Sequence, residues 1–363
     1  MASALDWTAE FDRVDPKILS KKFIKIGIRP ALIPILISYI SSRKMKVKYN
    51  KNESTVKSLV GGCTQGTLLG GLSYIIASSD NCDISEERSE ADEFAYYDDL
   101  NLLEFIILAE KLQNYDFMSH VPSDIATDEQ FLPTEVTHMQ KYMNDISDWS
   151  NRNLMLLNEE KSKFIMFTRS KSAFTTRIFL NNKPMERITV TKLLGVWLQE
   201  DLGWQHNTRK ICINAYSRMP ILGKLKYVGV STEDLLTIYK LFVRCIPEYC
   251  STVFHSSLTH DQTYKIERIQ ANSLKIILDE NYVSYEAALE MCGLQTLSER
   301  REKRQLSFSL KCIKNSFTKS MFPTNQGDKK EKFVVNFART EKYKKSAIPQ
   351  CQRILNKHFS KMS

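Results

Sequence analysis

The spacing of apolar residues in the first two hundred positions follows two different periods. Residues 2–7 and the segments 45–49 and 55–60 show the alternation that is typical of strands. Residues 67–78, and the segment that contains Met139, Tyr142, Met143 and Ile146, show the helical spacing of three and four. Short apolar runs predict three further strands, at 164–167, 177–180 and 193–198.

The pattern is helical from His206 to Asn315, and no internal repeat is evident. The chain contains only 12 Gly and 10 Pro among 363 residues, which argues against collagen-like, low-complexity and turn-rich all-β designs. The pattern therefore predicts an α+β fold, with strands and helices in its first part and a helical region after them.

The positive charge of the chain is concentrated near its end. The whole chain carries 51 Lys and Arg against 42 Asp and Glu, and residues 301–363 alone contain 16 basic and 4 acidic residues. We expect residues 301–345 to contact nucleic-acid phosphates, because phenylalanines interleave with the basic residues there. The alternatives are a solvated tail and phenylalanines that pack the last helices. These phenylalanines are Phe308, Phe317, Phe322, Phe333 and Phe337.

A pair of carboxylates, Asp98 and Asp99, lies between two apolar strand halves within 94–103. Such a hairpin places at least one carboxylate at its tip, within reach of a neighbouring strand. Carboxylates on adjacent strands can hold two Mg²⁺ ions roughly 4 Å apart for an in-line displacement. An Asp-Asp pair alone is weak support, because most such pairs lie in exposed turns or helix caps.

Several segments, in their order and spacing, resemble reverse transcriptases. The palm motifs of these enzymes are similar to Asp6-x5-Asp12 with Phe11, to Gln65-Gly66-Thr67-x2-Gly70, and to Tyr96-Tyr97-Asp98-Asp99. Later segments resemble the enzymes of non-LTR retrotransposons (the LINE and jockey group). These segments are Trp149-Ser150-x2-Asn153-x3-Leu157-Asn158-x2-Lys161-Ser162-Lys163, Leu194-Gly195-Val196 followed by Trp204-x-His206, and Arg339-Thr340-x2-Tyr343-x2-Ser346-Ala347-Ile348-Pro349.

The resemblance implies an RNA-directed DNA polymerase that joins deoxynucleotides to a primer 3′-hydroxyl. Its partners would be an RNA template, a DNA primer and deoxynucleoside triphosphates, and its cofactor two Mg²⁺ ions or Mn²⁺. Asp6 and Asp98 correspond to the two metal-binding aspartates, and Asp99 to the accessory carboxylate. The fold that the resemblance implies is an α+β palm, an antiparallel sheet with packed helices, followed by a helical thumb.

Further roles follow from the same resemblance. Phe11 corresponds to the side chain that excludes a ribose 2′-hydroxyl, and a core residue beside the strand is the less favoured alternative. Gln65 and Gly66 fall in the loop beneath the templating base and the incoming nucleotide. Lys161 lies where the family has a lysine near the triphosphate, although a surface lysine is nearly as good an interpretation. The primer grip corresponds to Leu194, Gly195, Val196 and Trp197, for which a plain core strand is the alternative.

The sequence also departs from the family pattern. Glu10 stands where the family usually has Ala, and its carboxylate could repel a triphosphate; Tyr97 replaces another usual Ala. Related enzymes carry a fingers region, and many an endonuclease, before the segment that contains Asp6. The alternative function is therefore an inactive retrotransposon remnant that binds nucleic acid or retains no activity.

The expected domains are a truncated palm over 1–200, a helical thumb-like region over 201–315 and a basic tail over 316–363. The acidic residues among the first fifteen are atypical of a secretory signal, and the apolar run 31–37 is too short to cross a membrane. The eight cysteines lack zinc-site spacing. We expect an intracellular protein, in the cytoplasm or nucleus, that is not secreted and does not bind a membrane; the sequence does not identify its protein partners.

Overall fold

The computed structural model of the chain describes residues 2–41, 43–59, 61–64, 66–80, 91–96, 99–104, 138–167, 177–325 and 332–361. For 91–96 and 99–104 it gives the backbone only. The chain forms two compact units, Met1–Thr189 and Val190–Ser363. The hairpin that follows Thr189 thus belongs to the second unit, eleven residues before the predicted end of the palm. The predicted division into three domains stays a prediction.

The first unit is built on a five-stranded sheet with strand order β11-β8-β1-β7-β6. Three of its ladders are antiparallel, and β11 pairs with β8 in parallel. The sheet is therefore mixed where the sequence predicts an antiparallel one, because the chain crosses over between β8 and β11 instead of turning back in a hairpin. The strands are β1 (Ala2–Leu5), β2 (Arg43–Met45), β3 (Lys48–Tyr49), β4 (Asn52–Glu53), β5 (Lys57–Leu59), β6 (Ala91–Tyr96), β7 (Asp99–Glu104), β8 (Lys163–Ile165), β9 (Phe179–Leu180), β10 (Lys183–Pro184) and β11 (Glu186–Ile188).

The four α-helices of the described part of this unit enclose its apolar core. They are α1 (Pro16–Lys25), α2 (Ile33–Ile40), α3 (Leu68–Ser78) and α4 (His138–Asn153). Helix α1 is capped by Asp15, whose carboxylate accepts hydrogen bonds from the backbone N–H groups of Lys17 and Ile18. The core residues include Trp7, Phe23, Tyr74, Met143 and Trp149.

The second unit opens with a hairpin and continues in helices, and the helices are those that its sequence pattern predicts. The hairpin consists of β12 (Val190–Leu193) and β13 (Val196–Gln199). The sequence predicts one strand over 193–198, but Leu194 and Gly195 form a two-residue turn with φ of 43° and 87°. Positive φ at both residues is typical of the type I′ turn, whose twist matches that of the flanking strands.

The helices of the second unit differ widely in length, from 4 to 19 residues. They are α5 (Gln205–Arg218), α6 (Pro220–Tyr227), α7 (Thr232–Ile238), α8 (Cys245–Glu248), α9 (Ser251–Phe254), α10 (His260–Leu278), α11 (Tyr285–Met291), α12 (Leu297–Cys312), α13 (Ser316–Lys319), α14 (Glu341–Lys344) and α15 (Ala347–Phe359), with a π-helical turn at Tyr239–Val243. Capping boxes at Thr259 and Thr296 fix the starts of α10 and α12.

The described part of residues 316–363, where the sequence predicts a basic tail, is folded against the second unit. Helix α15 has one strongly apolar face, and Cys351 and Leu355 on that face join Cys312, Phe322 and Phe333 in a small core. The charged residues of this segment therefore lie on ordered elements.

Candidate active site

Asp6 lies directly after β1, in the middle of the sheet. In the antiparallel ladder of β1 and β7, Leu5 pairs with Leu100, so the next position along β1 faces the start of β7 at Asp99. In the adjoining ladder, Tyr96 pairs with Asp99. The backbone register thus brings Asp6 and the Asp98-Asp99 hairpin to the same edge of the sheet; residue 98 itself lies outside the described residues.

The backbone of Asp6 is held by the segment that follows α4. Its N–H donates to the Ser162 hydroxyl over 3.1 Å, and its carbonyl accepts from the Asn158 N–H over 2.8 Å. Asn158 also receives the N–H of Lys161 on its side-chain oxygen, over 3.1 Å, which closes the turn between them. Asn158, Lys161 and Ser162 of one sequence motif therefore fix the position of Asp6.

The carboxylate of Asp6 lies near the ammonium group of Lys161. Lys161 Nζ lies 3.6 Å from Asp6 Oδ2, and the lysine side chain is 70% exposed. An exposed pair at this distance contributes at most about 1 kcal/mol to stability. Asp6 Oδ2 is nevertheless shielded from solvent and has no hydrogen-bond partner among the described residues. A shielded carboxylate oxygen that accepts no hydrogen bond is a group that a cation would satisfy.

The donor chemistry of this edge fits a hard divalent cation. Mg²⁺ prefers one or two carboxylates together with water and substrate phosphates. Asp6 offers a carboxylate oxygen without a hydrogen bond, and the register sets Asp99 opposite it. The described side chains alone contain no cluster of three metal-binding groups, and those of Asp98 and Asp99 are not among them.

Phe11 lies in a short 3₁₀ helix, Glu10–Arg13, which closely follows Asp6 in the chain. Its ring stacks on Tyr74 of α3, with centroids 4.6 Å apart and an interplanar angle of 23°. The ring also packs against the first core and is only half-buried. Phe11 therefore makes core contacts and keeps part of its side chain exposed.

The loop before α3 is tied to the rest of the unit by Arg43. The Arg43 guanidinium donates to the carbonyls of Gly61 and Gly62, over 2.8 Å and 2.7 Å, and to the Thr64 hydroxyl over 3.0 Å. The Cys63 N–H donates to the Phe11 carbonyl over 2.6 Å. The loop that contains Gly66 is thus anchored beside the turn that contains Phe11, while Gln65 lies outside the described residues.

Two glycines, Gly62 in this loop and Gly70 in α3, are required by close backbone approach. A Cβ on Gly70 would lie 1.8 Å from the Thr64 carbonyl oxygen, and one on Gly62, at φ +88°, would lie 2.9 Å from Asp12 Cα. Gly66, at φ +77°, has open space around it and needs glycine only for its backbone conformation. The space around Gly66 leaves room for a ligand to approach the backbone.

The motif at the end of α4 supports the strand that carries Asp6. The rings of Trp149 and Trp7 make an edge-to-face contact with centroids 5.7 Å apart, and Trp7 directly follows Asp6. Trp149 Nε1 donates to Asp80 over 2.9 Å. Asn153 Nδ2 donates to the Trp149 carbonyl over 2.9 Å and closes the last turn of the helix. This motif is structural, and it acts on the position of Asp6 through Trp7.

The hairpin that contains Leu194, Gly195, Val196 and Trp197 is fixed within the second unit. Tyr249 donates its hydroxyl to the Leu194 carbonyl over 2.8 Å, and a Cβ on Gly195 would lie 2.9 Å from the Tyr249 ring. The Trp197 N–H donates to Asn207 over 3.2 Å. Leu194 is half-exposed at the tip of the turn. The turn therefore offers an apolar side chain at a rigid tip.

A cavity of about 550 Å³ lies beneath this hairpin. Lys192 and Lys210 place their ammonium groups 5.9 Å and 5.2 Å from the centre of the Trp197 ring. Arg218 also lines this cavity, and its guanidinium donates to the Phe242 carbonyl over 3.0 Å. Cations around an aromatic ring suit a ligand that carries both phosphate and an apolar ring.

The structure thus groups the residues proposed from the sequence in two places. Asp6, Phe11, Gly66, Lys161 and the start of the Asp98-Asp99 hairpin belong to the first unit, and the hairpin at 194–197 belongs to the second. The sequence prediction missed Asn158 and Ser162, although both are part of a motif that it identified. It also missed Arg43, because its hydrogen bonds to the loop at 61–64 arise only in the fold.

Comparisons with known proteins give one relative in sequence. The chain is 23% identical over 313 residues to a Drosophila melanogaster protein, "Probable RNA-directed DNA polymerase from transposon BS"; the match covers 84% of this chain and 32% of that protein. No protein-family model matches. The sequence similarity supports a relationship to reverse transcriptases, and the chain spans about a third of the length of this relative.

Two solved structures of telomerase show a weaker likeness. The telomerases of Candida albicans and Candida tropicalis, each described in complex with a fragment of telomeric RNA, give TM-scores of 0.34 and 0.33 at 10% and 11% identity. The matches cover 80% and 88% of this chain and 48% of each telomerase chain. TM-scores this low establish no common fold.

No helix in the described ranges is long and apolar enough to cross a membrane.

Proposed function

We propose that the chain is the palm and thumb part of an RNA-directed DNA polymerase of the non-LTR retrotransposon type. The observation that carries this proposal is the register that sets Asp6 at the end of β1 opposite the start of the Asp98-Asp99 hairpin. The sequence similarity to a transposon RNA-directed DNA polymerase supports the same reaction class. The reaction would join a deoxynucleotide to the 3′-hydroxyl of a primer on an RNA template.

Asp6, Asp98 and Asp99 are the residues that would hold two Mg²⁺ ions, or Mn²⁺. Bound there, the ions would favour ionisation of the primer hydroxyl and stabilise the charge that develops on the phosphates. Asp6 is positioned for this role by Ser162 and Asn158, which fix its backbone on both sides.

Other side chains of the first unit would bind and orient the nucleotide. Lys161, whose Nζ lies 3.6 Å from Asp6 Oδ2, would move to the negative charge of a triphosphate, because its present ion pair is exposed and weak. Phe11 would limit the space beside the sugar, since its stack on Tyr74 fixes the ring. Gln65 and Gly66 would contact the base pair at the loop before α3.

Primer extension tests the proposal. The purified chain is incubated with a labelled DNA primer on an RNA template, deoxynucleotides and MgCl₂, beside Asp98→Ala/Asp99→Ala. A matched control, Asp145→Ala/Asp148→Ala, removes the same charges from α4 of the same unit. We expect metal-dependent extension that the Asp98/Asp99 variant loses and the control retains. Equal extension by both variants would contradict the assignment.

The same assay separates the polymerase from the alternative of an inactive remnant. Absence of extension by the unaltered chain, together with binding of an RNA–DNA hybrid, would identify a binding protein without chemistry. Glu10 is half-buried beside Phe11, and Glu10→Ala would then show whether its carboxylate is what excludes the triphosphate.

A further inference from the structure

A basic groove of about 670 Å³ lies in the second unit between α12 and α15. We call it the α12–α15 groove. Basic side chains line both of its walls, and Glu302 is the one carboxylate among its lining residues in the described chain. The basic residues are Lys303, Lys345, Arg353, Lys357 and Lys361.

The basic residues on one wall form a line. Arg353 and Lys357 are four residues apart on α15 and therefore share a face of the helix, about 6 Å apart along its axis. Lys361 continues the line in the turn that follows the helix. The opposite face of α15 is fixed to the core by Cys351 and Leu355. The line of charges is thus presented on a rigid support, with a spacing comparable to that of successive phosphates in an extended strand.

These charges are not neutralised within the part of the chain that the structure describes. None of the ammonium groups of Lys303, Lys345, Lys357 and Lys361 has a carboxylate partner there. The neighbouring Arg300 and Arg304 of α12, by contrast, both pair with Glu248. A concave surface with several unpaired charges of one sign attracts an extended counter-charge.

The side chains at the floor of the groove are polar and carry no charge at pH 7. Burial, with a smaller effect from Arg301, lowers the pKa of His255 to about 4, so its imidazole is neutral at pH 7. Gln305 donates to the Ser256 hydroxyl over 3.3 Å. The apolar residues of the lining, Leu306 and Ile354, are half-buried. The described lining therefore offers no fully exposed apolar side chain that could insert into a membrane.

The lining also contains none of the five phenylalanines that interleave with the basic residues in the sequence. Phe322 and Phe333 are buried in the small core, whereas Phe317 and Phe337 are exposed elsewhere. Without phenylalanine, tyrosine or tryptophan rings in the described lining, contact would be to phosphates and not to bases.

We propose that the α12–α15 groove binds the phosphate backbone of a single RNA strand without reading its sequence. The choice of RNA rests on the proposed function. The binding itself requires neither Asp6 nor a metal ion, so it constitutes a second, independent contact between the chain and RNA.

A salt titration with matched variants tests this inference. The chain, Lys357→Gln/Lys361→Gln and the control Lys311→Gln/Lys314→Gln are titrated against a labelled oligouridylate of about twenty nucleotides. Lys357 and Lys311 both lie in the last turn of a helix, and all four lysines are exposed. Both variants therefore remove equal charge and equal helix-end stabilisation, and neither alters a buried side chain.

We expect the groove variant to lose about tenfold in affinity at low salt. The slope of log affinity against log salt should fall by about 1.4, since each phosphate contact with a single strand contributes about 0.7. The control should change the slope by less than half of that. Equal slopes for the two variants would overturn the inference, because the binding would then reflect net charge alone.

Two further measurements exclude confusion with other ligands and with the proposed function. In the first, vesicles that contain phosphatidylserine replace RNA in the same titration. If Lys357→Gln/Lys361→Gln loses vesicle binding but binds RNA like the unaltered chain, the inference is overturned in favour of a membrane surface. Asp6→Asn is included as well and should bind oligouridylate like the unaltered chain. Failure of extension with retained groove binding would refute the polymerase and leave the groove standing, and the reverse result would refute the groove alone.

Discussion

Asp6 owes its position to residues that lie far away in the chain. Ser162 accepts the Asp6 N–H across a separation of 156 residues, and Asn158 donates to the Asp6 carbonyl. The sequence motif that contains both residues thus serves the same site as Asp6 itself. Lys161, between them, is the side chain that reaches the carboxylate.

Ser162→Ala is expected to slow extension more than it destabilises the fold. The hydroxyl is fully buried, and its loss leaves the Asp6 N–H without an acceptor, which costs about 1 kcal/mol of stability. Because Asp6 then has a wider range of positions, kcat should fall about tenfold with little change in the KM for the deoxynucleotide.

Steady-state kinetics and urea denaturation of the same preparation measure both quantities. Ser162→Thr, which keeps the hydroxyl, should recover part of kcat. A fall in stability without any change in kcat would show that Ser162 is merely structural.

At the scale of single elements, the strands and helices follow local sequence signals, and the exceptions have physical causes. The Asp15-Pro16 cap and the apolar face of α4 were predictable from spacing alone. The turn at Leu194-Gly195 was not, because Leu at φ 43° lacks the Asn-Gly or Asp-Gly signal of such turns, and the apolar run continues through it. Its conformation is supported from outside the hairpin, by the hydroxyl of Tyr249.

The candidate site was predictable to the extent that it lies in motifs. Asp6, Phe11 and Lys161 were found by resemblance, and the register brings Asp6 to the predicted hairpin. The hydrogen bonds of Arg43 to the loop at 61–64 were not predictable, since they depend on how β2 meets that loop in three dimensions.

The contact between α3 and the loop before it depends on Gly70. Gly70→Ala should destabilise the first unit by about 2 kcal/mol, because a Cβ 1.8 Å from the Thr64 carbonyl forces the loop away from the helix. Gly223→Ala is the control, since Gly223 also lies in a helix and its added Cβ would meet nothing closer than 3.9 Å.

Thermal unfolding of the two variants compares these effects. The control should be neutral or stabilising by up to about 1 kcal/mol, as expected for an alanine within a helix. If Gly70→Ala unfolds at the same temperature as the unaltered chain, the close approach of loop and helix is contradicted.

Asp80 joins three helices of the first unit. It pairs with Lys22 of α1 over 2.7 Å and accepts from Trp149 of α4 over 2.9 Å, and it lies just beyond α3. Burial alone would raise the pKa of Asp80, but the hydrogen bonds from Lys22 and Trp149 outweigh it and lower the pKa. The pKa of Lys22 is lowered as well, because burial of the deeper ammonium outweighs its pairing with Asp80.

The lowered pKa of Asp80 predicts a pH-dependent contribution to stability. The contribution is complete above the unfolded pKa of about 4 and is lost as pH falls through the lower, folded pKa. Asp80→Asn should therefore reduce the free energy of unfolding by about 2 kcal/mol at pH 7 and by much less near pH 3. Denaturant unfolding followed by tryptophan fluorescence at a series of pH values measures it, and a pH-independent difference would contradict the assignment.

At the scale of the whole molecule, two compact units carry different parts of the proposed function. The first contains the carboxylate edge, and the second contains the hairpin at 190–199 and the basic helices. The second unit is organised around Glu248, a carboxylate 4% exposed that accepts from Arg300 and Arg304 and lies 3.8 Å from Arg244 Nε. Three guanidinium groups around one buried carboxylate fix the relation of α8 to α12.

Glu248→Gln is expected to destabilise the second unit by about 3 kcal/mol, because it leaves three arginines together without their counter-charge. Glu341→Gln removes an exposed carboxylate that pairs only with Lys344, and should change stability by less than about 0.5 kcal/mol. Hydrogen exchange of α8 and α12 in both variants reports the effect within the second unit. Similar protection in the two variants would contradict the role given to Glu248.

The central claim is that Asp6 and the Asp98-Asp99 hairpin form one site for nucleotidyl transfer. Single-nucleotide incorporation on an RNA template, measured for Asp6→Asn beside Asp148→Asn, tests it most directly. Asp148 is an exposed carboxylate on α4, so both variants remove one negative charge from the first unit. We predict that Asp6→Asn abolishes incorporation, by at least about a thousandfold, while Asp148→Asn incorporates at the rate of the unaltered chain. Incorporation by Asp6→Asn at the rate of the control would show that the carboxylate edge of this sheet is not the site of the reaction.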